Sequence, residues 1–315
     1  MQKKEIIKIS LLALFACFLW STAFAPVKIG LQYAKPFFFA GVRFVLSAII
    51  LLPFCGKLSA IPGLMIKHRR IILILGTFQT FILYSLFFPG MQLVQGSLGA
   101  IIIGSSPLFA AIISHFIMTD DKMTVKRTLS LLVGISGIII VSISRKPWSS
   151  AGFKEFIGVL LLITGCIGSV IGNIIVAKDK KNINPVLLNA SQMFFGGILL
   201  VLFSLPVEGI PRIHYPASFY YSLLWLSSIS AAAFSLWFIL LKKPGVKVSE
   251  LNVWKFIIPV TGAIISWIIL PDENPVLLQV IGMILVSISI LAYHVSGRKK
   301  ASGLSQSFPQ KRESM

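Results

Sequence analysis

The sequence predicts an all-α integral membrane protein, with about ten transmembrane helices in two inverted five-helix repeats. Three observations predict it: composition, the length of the apolar runs, and an internal repeat. Of 315 residues, 56% are hydrophobic and only 12% are charged, with a mean hydropathy of +0.89. Soluble domains carry about 25% charged residues. The net charge of +19 is not gathered on one basic domain. Its Lys and Arg stand in short clusters between apolar runs, as in membrane loops, so nucleic acid is excluded as a partner.

A helix needs about 20 apolar residues to cross a bilayer. Ten such runs are read at 8–27, 36–55, 71–90, 96–118, 125–144, 155–177, 185–206, 217–241, 249–270 and 275–296. They are continuously apolar, not alternating as the strands of a membrane barrel are. Turn-forming or charged stretches break them: "GKLSAIPG", "SRKPWSSAG", "KDKKNINP" and "PDENP". The first run has some features of a cleaved signal peptide, with Lys3, Lys4 and Lys8 before it and "AFA" at 23–25. Pro26 at the cut is unfavourable, and the repeat described below needs this span.

With a cytoplasmic N-terminus, inside loops hold 21 of the 29 Lys and Arg residues and outside loops hold 6. This is a strong positive-inside bias, and it places both termini in the cytoplasm of a cell (inner) membrane protein. Only Arg43 and Lys255 then fall within spans.

The chain also resembles itself. At an offset of 149 residues Cys17 meets Cys166, Pro36 meets Pro185, and Arg43 meets Gln192. At 152 residues Ser97 meets Ser249, Pro107 meets Pro259, and Asp121 meets Glu273. Residues 1–147 and 153–296 are therefore expected to be two five-span repeats, with 297–315 a basic disordered cytoplasmic tail. An odd number of spans per repeat turns the second copy upside down, the architecture of secondary transporters.

"FLWSTAFAPVKIGL" at 18–31, "FFFAGVRFVLSAIILL" at 37–52 and "PLFAAIISHFIMTDD" at 107–121 resemble the drug/metabolite transporter superfamily and, within it, the EamA family. The family pattern falls on Trp20, Ser21, Phe24 and Lys28, on Arg43, and on Pro107 with Asp121 and Pro259 with Glu273. There are departures: Asp120–Asp121 stand where Glu is usual, and the sixth span lacks the Trp of the first. The resemblance implies alternating-access transport of small metabolites, often export of amino acids or related compounds, through a central cavity. The alternatives are a channel or receptor-like membrane protein, or a transporter of nucleosides, sugars or drugs on the same fold.

Charged groups within spans mark function by default, because they are costly in hydrocarbon. Arg43 and Lys255 are therefore candidate substrate contacts, with structural hydrogen bonding, snorkelling and interface anchoring as the alternatives. Trp20, Tyr84, Ser106, Gln192 and Trp254 complete the candidate set, and Gln79, Asn173 and Ser228 are further polar positions. Gly96, Ala100 and Gly104 recur every four residues, a small face suited to close helix packing. No GxxxxGK[ST], HExxH or GxSxG occurs, so no ATPase, metalloprotease or serine hydrolase chemistry is visible, and no enzyme is expected. Neither catalytic residues, cofactor nor metal are expected. The expected partners are a small-molecule substrate and the lipid bilayer, with a homodimer left open.

Overall fold

The structure is a computed structural model describing residues 3–117, 124–143, 150–178, 183–212, 214–243, 246 and 251–305. Asp120, Asp121 and the tail beyond Ser305 lie outside the described residues. The helices are α1 (Lys3–Ser21), α2 (Phe24–Leu31), α3 (Pro36–Leu51), α4 (Ile61–Lys67), α5 (Arg69–Leu75), α6 (Leu83–Leu93) and α7 (Gly96–Gly104). There follow α8 (Ser106–Ile117), α9 (Val125–Ile143), α10 (Ser150–Lys178), α11 (Pro185–Glu208), α12 (Ala217–Lys242), α13 (Ile257–Ile269) and α14 (Leu277–Ser305). Among the described residues, eight helical stretches are long and apolar enough to cross a membrane, and Trp254–Ile269 and Leu277–Tyr293 are shorter apolar helices at the predicted ninth and tenth spans. The short helix α4 begins within the expected break "GKLSAIPG", with Pro62 in its first turn, a position where the missing N–H costs nothing.

Three spans are interrupted, and proline accounts for each break. A proline has no N–H and its ring crowds the carbonyl four residues back. Pro26 lies four residues beyond Thr22, where α1 gives way to α2. Pro107 stands just past the Ser105 break between α7 and α8. Pro259 follows a 3₁₀ turn, Val253–Phe256, that leads into α13. A fourth irregularity has no proline behind it: residues Gly76–Ile82 form a π-helix between α5 and α6.

Each span of one half packs on its repeat counterpart or on a symmetry-related neighbour. The most extensive pairings are α3 with α11 and α9 with α14, followed by α6 with α10 and α7 with α13. The small face of α7 makes the last of these close. A Cβ on Gly96 would meet Ser266 Oγ at 3.0 Å, one on Gly104 would meet Pro259 Cδ at 2.3 Å, and one on Gly262 would meet the Ala100 Cβ at 2.7 Å. In a bilayer such steric fit, not water exclusion, holds helices together.

Polar contacts sort the helix ends onto two faces. On the N-terminal face Lys243 Nζ lies 3.0 Å from Glu5 Oε1, which holds that exposed carboxyl below its ordinary pKa. On the opposite face Lys28 Nζ donates to the carbonyls of Met91 at 3.0 Å and Val94 at 2.7 Å, capping the C-terminal end of α6. There Glu208 accepts from the N–H of Phe37 at 2.7 Å and of Phe38 at 2.9 Å. Glu273, which is buried, accepts from the N–H of Gly96 and Ser97 and from Ser97 Oγ. Both carboxylates thus satisfy orphan donors at a helix N-terminus, where the macrodipole also favours negative charge. Each contact joins ends that ten alternating spans place on the same side; one span more or fewer between them would separate several.

Candidate functional site

The breaks in α1–α2, α7–α8 and before α13 converge on a central cavity of about 780 Å³, counting its mouth. Both halves line it at repeat-related positions. Trp20 faces it with Ser169, and Phe24 with Asn173, at the 149-residue offset; Ile103 with Lys255, and Ser106 with Ile258, at 152. The scaffold is symmetric and the chemistry is not.

Arg43 extends from α3 into this cavity and is only 2% exposed. Its Nε donates to Ser230 Oγ of α12 at 2.9 Å. The guanidinium carbon lies 4.8 Å from the ring centre of Phe44, 5.5 Å from Tyr84 and 5.7 Å from Phe88. No described carboxylate pairs with it, and its two terminal amino groups have no acceptor among the described residues. Beyond Arg43, toward the face that carries Glu208, Phe39 packs its ring 5.5 Å from Phe88 and 5.4 Å from Phe219, all three buried.

Lys255 occupies the 3₁₀ turn ahead of Pro259 and is 6% exposed. Its ammonium sits 5.1 Å from the Trp237 ring and 5.9 Å from Trp20, with the buried thiols of Cys17 and Cys166 in its electrostatic surroundings. Cation–π contact is the only partnering it has among the described residues. The indole Nε1 atoms of Trp20 and Trp237, and Gln79 Oε1, are buried without hydrogen-bond partners, and all three side chains line the cavity. Two cations and two free indole donors thus meet in a space whose lining includes no Asp or Glu among the described residues. Such a site attracts and orients an anionic group. No cluster of metal-ligating residues occurs among the described residues.

Five of the seven residues singled out in the sequence share this cavity: Trp20, Arg43, Tyr84, Ser106 and Lys255. Gln192 does not line it. Gln192 is buried between α11 and the π-helix, accepting from Thr80 Oγ1 and donating to Asn189 Oδ1 at 3.1 Å. Trp254 packs against the apolar core beside the cavity rather than lining it, and Ser228 is exposed. Sequence reading did not single out Trp237, Phe234, Phe87, Cys166 or Ser169 as lining residues. An aromatic in an apolar run looks the same whether it faces lipid, core or cavity. Ser169 was within reach, since it is the repeat partner of Trp20.

The model of the EamA-like transporter family matches residues 7–143 and again 156–293. The chain belongs to the EamA-like transporter family. The two matched blocks are the two halves that line the cavity. The chain is similar to the uncharacterized transporter YvbV of Bacillus subtilis (strain 168), with 24% identity covering 94% of each chain. It is also similar to the uncharacterized transporter YoaV of the same organism, with 22% identity over 85% of this chain and 90% of that one. The S-adenosylmethionine/S-adenosylhomocysteine transporter of Chlamydia muridarum (strain MoPn / Nigg) is 25% identical, covering 90% of each chain. A crystal structure aligns over 93% of this chain and 98% of its own with a TM-score of 0.66 and 16% identity, a likeness of fold. As an EamA-family protein the chain is a multi-pass membrane transporter, not an enzyme.

Proposed function

We propose that this EamA-family protein is a secondary active exporter of small metabolites that bear a carboxylate, amino acids and related compounds among them, working by alternating access. One observation carries the reading. Arg43 and Lys255 are buried in one cavity with no carboxylate partner among the described residues, and a buried cation needs a counter-charge. The substrate supplies it. The open guanidinium fork matches a carboxylate by two parallel hydrogen bonds. The aromatic walls accept an apolar or planar substrate body. S-adenosylmethionine and S-adenosylhomocysteine, named for one relative, both carry an amino-acid carboxylate, which agrees with this reading.

The test is a thermal-shift screen of the purified protein against amino acids, organic acids, nucleosides and sugars, followed by counterflow in proteoliposomes. A carboxylate-bearing ligand at about 100 times its Kd should stabilise the protein by about 2.7 kcal/mol. Its methyl ester should not. Stabilisation and saturable counterflow with neutral compounds alone would overturn the reading; flux without counterflow would favour a channel.

The charge bias supports a cytoplasmic N-terminal face. In a cysteine-free background, Asn274→Cys is expected to react in intact cells with a membrane-impermeant maleimide, and Lys57→Cys is not. The reverse pattern would invert the proposed orientation.

A further inference from the structure

Two hydrogen bonds link the halves of the molecule at repeat-related places. Arg43 of α3 donates through Nε to Ser230 of α12. Thr80 of the π-helix donates to Gln192 of α11. Arg43 and Gln192 are 149 residues apart, and Thr80 and Ser230 are 150 apart. The two bonds are therefore counterparts under the internal repeat: in each, the second span of one half is tied to the third span of the other half. This correspondence was not visible from Arg43 and Gln192 alone, whose chemistries differ.

Their depths are mirrored as well. Arg43 stands seven residues from Pro36, and Gln192 seven residues from Pro185. Each is thus about 10 Å from its helix start, but those starts lie on opposite faces. Each bond is backed by buried apolar residues toward its own face. Phe39, Phe88 and Phe219 lie beyond Arg43. Leu188 and Phe238, the repeat partners of Phe39 and Phe88, are fully buried on the Gln192 side. The Gln192 link is also extended, since Asn189 Nδ2 donates to Ser235 Oγ at 3.0 Å while its Oδ1 accepts from Gln192.

The geometry points to Arg43–Ser230 and Thr80–Gln192 as paired latches of the transport cycle, one toward each face of the molecule. Both bonds are made in this structure. Opening to one face breaks the bond on that side and keeps the other, because a pseudo-two-fold molecule exchanges the environments of repeat-related elements when it switches. The pair is also unequal. The Arg43 latch shares its guanidinium with the cavity, so a ligand there acts directly on that latch. The Gln192 latch does not reach the cavity. This inference depends on the family's transport activity and not on the identity of the substrate.

Cys166 lines the cavity and serves as the reporter, in a Cys17→Ala, Cys55→Ala background. Its modification by a membrane-impermeant methanethiosulfonate is measured from each face, in right-side-out and in inverted vesicles. Ser230→Ala and Thr80→Val each remove one hydroxyl donor or acceptor with little change of shape. Each should speed modification about five-fold, the population shift expected for one hydrogen bond of ordinary net strength. The two variants should act from opposite faces. Ser230→Thr and Thr80→Ser, which keep the hydroxyl, should stay at the reference rate. Should Thr80→Val fail to fold, Gln192→Met removes the same bond from the acceptor side. Acceleration from the same face by both variants, by one variant only, or by neither would overturn the assignment.

Discussion

Arg43→Gln is expected to raise the KM for the transported anion roughly 10- to 100-fold while leaving the protein at least as resistant to heat as the wild type. The first part follows from the fork. Losing hydrogen bonds to a charged group costs about 1.5–3 kcal/mol, and every 1.4 kcal/mol is tenfold in affinity. The second part separates a binding role from a structural one. Arg43 is buried, makes one hydrogen bond to Ser230 and has no carboxylate to balance it among the described residues. Such a group costs desolvation that three aromatic faces offset only in part. A neutral amide removes that cost. Arg43→Lys keeps the charge but not the planar fork, so its KM should lie between wild type and Arg43→Gln. Thermal denaturation with and without ligand, alongside flux in proteoliposomes, measures both quantities. A destabilised Arg43→Gln protein with unchanged KM would return the residue to a purely structural role.

Gly104→Val is expected to lower Tm by roughly 2–12 °C, or to prevent assembly, the largest loss of stability foreseen for a single methyl-bearing substitution here. Any Cβ at that position meets Pro259 Cδ at 2.3 Å and Pro259 N at 2.7 Å. Neither atom is the end of a flexible side chain, so α7 and α13 must move apart. Overpacking of this kind costs about 1–3 kcal/mol, and about 2–4 °C accompanies each kcal/mol in chains of some 200 residues. The same displacement shifts Lys255, four residues before Pro259, so transport should fall more than the amount of folded protein does. Gly63→Ala is the control. A Cβ there meets nothing within 4 Å, and alanine is the better helix former by about 1 kcal/mol, so Tm should stay level or rise. A Gly104→Val protein as stable as wild type would show that the α7–α13 contact is not close.

The span count, the two-fold repeat and the two intramembrane cations were legible in the sequence because each rests on a local property. Continuous hydropathy reports the solvent. A charge within hydrocarbon is conspicuous without knowledge of its neighbours. The small face at Gly96, Ala100 and Gly104 was readable for the same reason, and its partner surface on α13 could be guessed only as a helix. The π-helix at Gly76–Ile82 left no mark in the sequence, since no proline or charge signals it. Glu273 at a span end reads as a solvated or capping residue, but which helix it caps was hidden, because the N–H groups it serves lie 177 and 176 residues away in sequence.

Rotation of each helix about its axis was decided by the tertiary structure alone. In water an amphipathic stripe shows which side of a helix faces the core. In these spans nearly every residue is apolar, so lipid-facing and protein-facing sides read alike. That is why Trp237 and Phe234 could not be told from lipid contacts, and why Gln192, the repeat partner of Arg43, could not be told from a cavity residue. Packing settled both. Close approach at small residues sets how each helix is turned, and the turn delivers Arg43, Lys255, Trp20 and Trp237 to the cavity while directing Gln192 to Thr80. The sequence by itself determined the solvent, the number of spans and the symmetry; only the packed structure decided which side chains meet, because shape complementarity between apolar helices has no signature in hydropathy.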